Sequence, residues 1–153
     1  PLARVSTEVT GYVETPLFRA RYPLAYQRWK EAADLLWGPT AETELTTIGH
    51  KTREAVQEFT SVLVHTHDIP SAPVDPTKTV ARLRAVVDAQ RERLGEARHH
   101  LLDALVVYWG EVNDLLQRQE HGGQKEGEPL AWEDGRRAVF HTAIAMYEIH
   151  RTI

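Results

Sequence analysis

Along most of this chain apolar residues recur at intervals of three and four, the spacing that gathers them on one face of an α-helix. From Pro23 onward, Ala25, Trp29, Ala32, Ala33 and Leu36 mark one such face, and Gly38 with Pro39 supplies a stop. Thr40 is placed to cap a second helix, with Glu42 and Glu44 near its positive end. Leu45, Ile48, Thr52, Ala55, Phe59, Val62 and Leu63 carry its stripe to about His65, and His50, Arg53, Glu54 and Gln57 fall on the other side. The short break predicts that the two helices fold back on each other as a hairpin.

A third pattern runs from Thr77 to Gln119. Leu83, Val87, Gln90, Leu94, Ala97, Leu101, Ala104 and Tyr108 alternate three-four, as in a coiled-coil seam. Leu102, Leu105, Val106, Trp109, Val112 and Leu115 thicken its second half and assign it to the core. Unbroken, this helix would extend roughly 60 Å, more than a compact domain of this size needs. A kink near Gly95 or Gly110, or a projecting end used for dimerisation, resolves the excess. The last helix is read over Ala131 to Ile153, where Trp132, Val139, Met146 and Ile153 recur every seven residues, and Phe140, Ala143, Ile144 and Tyr147 widen the stripe. Glu133 and Asp134 suit its first turn.

Between these elements lie three segments without sustained period. Residues 1–15 read as an irregular N-terminal arm, ending where Thr15 and Pro16 resemble a cap and first helical position and Pro23 interrupts. Residues 68–77, with Pro70, Pro73 and Pro76, read as a connector. Residues 120–130, glycine-rich and charged, read as a flexible loop. The expected architecture is a single all-α domain, a four-helix up-and-down bundle with a long third helix.

Composition narrows this reading. With 153 residues, 42% of them hydrophobic, the chain can bury a core of its own. The absence of cysteine excludes disulfides, thiolate metal sites and thiol nucleophiles. No apolar run approaches the roughly 20 residues that cross a bilayer, so a cytoplasmic protein without membrane attachment is expected. The net charge of −4 argues against a strong overall field for nucleic acid. Arg82, Arg84, Arg91, Arg93 and Arg98, interspersed with Asp88, Glu92 and Glu96, read as a solvated, ion-paired helix face.

Little of this polar complement forms a recognisable site. Glu96-x-x-His99 has the spacing of di-iron or di-manganese helices, but no second such pair accompanies it. His65 with His67, and His99 with His100, do not aim two rings at one ion from a helix face. No metal and no cofactor is expected.

Arg136-Arg137-Ala138-Val139-Phe140-His141 differs in kind. Its Arg-to-His spacing resembles the signature of HEPN domains, all-helical bundles with a metal-independent ribonuclease site near the start of a late helix. The segment from Ile48 to Val56, with Arg53 and Ala55, is similar to an early helix of several such bundles. The resemblance implies a homodimer with two motifs facing one cleft, an RNA substrate, and a place in bacterial defence or toxin–antitoxin systems. Under it, His141 would move the ribose 2′-hydroxyl proton and Arg136 would hold the phosphate. Five residues of helix separate Arg136 from His141 by roughly 140°, whereas Arg137, standing where the family often carries Asn, shares the face of His141. The rival expectation is a non-catalytic module that dimerises or binds a protein partner through the third helix.

Overall fold

The structure, a computed structural model, describes residues 2–118 and 127–153, and the loop expected over 120–130 lies outside the described residues from 120 to 126. The elements are α1 (Leu2–Val13), α2 (Pro16–Arg21), α3 (Pro23–Leu36), α4 (Leu45–His67), α5 (Thr79–Ala89), α6 (Arg91–Leu94), α7 (Glu96–Arg118) and α8 (Trp132–Thr152). The described residues contain no strand.

The first correction concerns the N-terminus: Leu2–Val13 is helical, not an irregular arm. Its Thr, Val and Gly are weak helix formers, and packing overrides that weakness. Val9 and Val13 are buried, and Tyr12 stacks on Tyr147 of α8 with ring centroids 4.7 Å apart. The Thr15 hydroxyl then accepts the Phe18 N–H at 3.3 Å and Pro16 opens α2. Pro23, lacking an N–H, starts α3 at no cost in hydrogen bonds.

Helices α3 and α4 form the expected antiparallel pair, joined across their outer edges by Arg28–Glu54 at 3.2 Å and Lys51–Glu31 at 2.8 Å. The connection is longer than the stripe suggests. Thr40 makes no side-chain cap and instead opens a 3₁₀ turn, Ala41–Thr43, which buries Ala41 and leaves Glu44 at the start of α4.

The long third helix does not exist. Gln90 ends α5, the single turn α6 follows, and Gly95 adopts φ 79°, a conformation that glycine enters without a steric penalty. The chain reverses there. A Cβ at Gly110 would stand 2.9 Å from Val80, Arg84 bonds Asp103 at 2.8 Å, and Asp88 meets His99 at 2.7 Å, so advancing along α5 means retreating along α7. Gly110 lets the two helices approach and does not kink α7.

Because α7 starts afresh after the reversal, its rotation is set by this hairpin and not by continuation of the seam. Leu102, Val106, Trp109, Val112 and Leu116 are buried, while Leu101, Ala104, Tyr108 and Leu115 face outward. The arginine-rich stretch differs accordingly: its ion pairs join helices instead of running along one face. Arg82 is buried, donating to the Pro73 carbonyl at 3.1 Å and the Ser61 hydroxyl at 2.9 Å, which ties the proline-bearing connector to α4.

Helix α8 closes the structure against α1, α3, α4 and α7. Trp29 and Trp132 donate their indole N–H groups to the carbonyls of Val139 and Leu36, at 2.9 and 3.0 Å, fixing α8 antiparallel to α3. Trp109 donates to the Thr142 hydroxyl at 2.9 Å, which sets its register on α7.

Two substitutions read out this arrangement in urea denaturation. Trp29→Ala removes a buried ring and should cost roughly 3–5 kcal/mol, whereas Leu101→Ala should stay within about 0.5 kcal/mol. A large loss at Leu101 would refute the rotational setting of α7.

Candidate active site on the last helix

Arg136, Arg137 and His141 occupy the first three turns of α8, and His141 meets α7. The capping carboxylate of Asp134 accepts the Ala131 N–H at 2.8 Å, so the helix starts with acidic residues against its unpaired amides. Those residues also hold the arginines: Glu133 pairs with Arg136 at 2.8 Å and Asp134 with Arg137 at 3.1 Å. Both pairs remain partly solvated, with the Arg136 side chain 25% and Glu133 59% exposed. Exchange of either carboxylate for another anion is therefore inexpensive.

His141 is half-buried beside Tyr108 of α7, with ring centroids 5.0 Å apart in an edge-to-face arrangement. The Tyr108 hydroxyl stands 3.5 Å from Nε2, the outer limit for a hydrogen bond. Burial, then the charge of Arg136, then that of Arg137, hold its pKa below the ordinary 6.5. At neutral pH the ring is the neutral, proton-accepting form.

Helical geometry alone favoured Arg137 as the neighbour of His141. The structure brings all three residues into one electrostatic environment and gives Arg136 the larger influence. The Arg136 guanidinium also lies 5.3 Å from the centroid of Phe140, the residue before His141. Tyr108 is the participant that spacing did not suggest. It was read as a seam residue, and only the outward rotation of α7 places it beside His141.

The other polar candidates are directed elsewhere. Glu96 forks onto Arg91 at 2.8 and 3.0 Å, while His99 turns inward to Asp88. Among the described residues no group of three His, Asp or Glu side chains is placed to hold a metal ion, and no helix is long and apolar enough to cross a membrane. No family model, curated protein or solved structure matches this chain.

An NMR titration of the histidine rings should place the His141 midpoint below 6.5, and Arg136→Gln should raise it more than Arg137→Gln. Since the unfolded chain holds more protons between the lowered midpoint and 6.5, His141 makes stability rise with pH across that window. A midpoint insensitive to Arg136→Gln would contradict the shared environment.

Proposed function

We propose that the chain is a HEPN-like domain that cleaves RNA without a metal ion, working as a homodimer in a bacterial defence or toxin–antitoxin system. The observation that carries this reading is the half-buried His141, set edge-to-face on Tyr108, whose pKa is lowered by burial and by the charges of Arg136 and Arg137. His141 removes the ribose 2′-hydroxyl proton, and the freed oxygen attacks the adjacent phosphorus as the 5′-oxygen leaves and takes a proton from solvent. Arg136, released from Glu133, binds the phosphate oxygens, and Arg137 adds a second positive charge. Tyr108 supports one side of the imidazole and restricts its rotation.

A second reading is a non-catalytic interaction module, and a specific observation favours it. Leu101, Tyr108 and Leu115 are spaced by seven on the outer face of α7 and are 68%, 44% and 41% exposed. In the catalytic reading the same stripe joins two copies and brings their α8 motifs toward one cleft.

RNA cleavage measured in EDTA tests the first reading. The parent should cut, and His141→Ala should lose on the order of 10²–10⁴-fold in rate, the contribution of one proton-transferring group. Equal activity in both proteins removes the assignment. For the stripe, Leu101→Glu with Leu115→Glu should convert a dimer to monomer in analytical ultracentrifugation; a parent that is already monomeric would end the interaction reading.

A further inference from the structure

Where the end of α8 meets α6 and the start of α7, Arg93, Arg98 and Arg151 line an open cavity of about 390 Å³. Leu94, Thr152 and Glu148 complete the lining. In a chain of net charge −4, three arginines around one carboxylate are a local reversal of sign.

The three differ in how they are held. Arg93 donates to the Gln90 side-chain oxygen at 2.9 Å and to the Thr152 and Ile153 carbonyls at 2.8 and 3.4 Å, so it meets the negative end of α8. Arg151 donates to the Tyr147 hydroxyl at 2.9 Å, and the Tyr147 ring is itself stacked on Tyr12 of α1. That partner positions the guanidinium and leaves its charge uncancelled. Arg98 has no hydrogen-bond or ion-pair partner among the described residues, and Glu96, in the same turn of α7, is taken by Arg91. Glu148 is within ion-pair distance of none of the three among the described residues. By contrast Arg28, Arg84, Arg91, Arg136 and Arg137 each meet a carboxylate at 3.2 Å or less. Guanidinium groups spared that pairing are open to an anion, and their forked donors match phosphate oxygens.

Position along the helices selects which phosphate. Helices α7 and α8 run antiparallel, since Tyr108 meets His141 while Arg98 shares the cavity with Glu148 and Arg151. Glu148 follows His141 by two turns on the same face, about 10 Å away, and Arg98 precedes Tyr108 by about 15 Å. Between these ends α7 exposes Leu101 and Tyr108. Cations flanking an exposed aromatic ring are the combination that holds single strands, with phosphates on the charges and a base on the ring.

We propose that the arginine cavity binds a backbone phosphate of single-stranded RNA, a few nucleotides from the bond that His141 cleaves; this rests on the catalytic reading given above. Arg98 and Arg151 fork onto the phosphate oxygens, and the intervening nucleotides lie over Leu101 and Tyr108.

Fluorescence anisotropy with a 2′-O-methyl RNA decamer, which lacks the attacking hydroxyl, separates binding from cleavage. Arg98→Gln with Arg151→Gln should weaken binding about tenfold or more. The same pair should flatten the dependence of log affinity on log salt by about 0.7, the share of one phosphate on a single strand. Glu148→Gln should tighten binding, a gain that misfolding cannot imitate. In cleavage of the unmodified strand the double variant should raise KM and leave kcat unchanged, as expected of a contact made equally before and during reaction. The proposal is overturned if the decamer does not bind, if the double variant keeps parent affinity or parent salt dependence, or if Glu148→Gln brings no gain. A poly-glutamate peptide that competes as well as the decamer also overturns it, in favour of an acidic protein partner. Binding that depends on these arginines in a protein that cleaves nothing removes His141 as the catalyst and upholds the phosphate site, whereas cleavage indifferent to the double variant does the reverse.

Discussion

The burial of α4 is the constraint from which the rest of the architecture follows. Most helices of a small protein conceal one stripe, but α4 is covered by α3, α5, α7 and α8 together. Ile48, Ala55, Val56, Phe59 and Leu63 provide apolar contact, while Gly49 admits the Leu116 side chain so closely that an added Cβ would lie 3.0 Å away. Two threonines share this interior without polar loss, because Thr52 donates to the Gly49 carbonyl at 2.9 Å and Thr60 to the Val56 carbonyl at 2.6 Å. A helix so enclosed requires neighbours on several sides, and α3, α5, α7 and α8 supply them.

What the amino-acid pattern revealed, and what it concealed, follows from the same packing. The stripes of α3, α4 and α8 are broad, so their existence and approximate limits could be read from spacing, although the start of α4 falls at Leu45 and not at a Thr40 cap. The α5–α7 reversal could not, because Gly95 and Gly110 are the same residue type used for different purposes. One takes a positive φ and turns the chain; the other stays helical and makes room for Val80. Nothing in their immediate neighbours distinguishes these uses. The rotation of α7 was lost along with the reversal, since a three-four seam continues smoothly on paper through a point where the helix stops. Helix α1 was hidden for another reason: its residues have weak intrinsic preference, and its stability comes from contacts with the far end of the chain.

The polar residues show a parallel division. Arg136, Arg137 and His141 could be singled out by spacing, whereas the ion pairs of the two arginines with Glu133 and Asp134 and the packing of His141 on Tyr108 emerge only from the structure. Trp109 illustrates how closely separate surfaces are joined in so small a protein. It lines an open cavity with Val80 of α5, and its indole nitrogen is bonded to Thr142, next to His141. The opposite sides of α7 thus share one rigid aromatic side chain, held by a directional bond on one edge and by packing on the other.

The placement of α8 also has a consequence for how the chain reaches its native state. The α3–α4 and α5–α7 pairs join segments close in sequence, whereas the Trp29–Val139 and Tyr22–His150 hydrogen bonds span 110 and 128 residues. Loop-closure entropy makes such distant pairings late events compared with local ones. Until α8 has been synthesised and docked, Trp29, Leu36 and Ile48 lack their cover. A chain in which α8 has yet to dock would thus display two finished hairpins around an open seam.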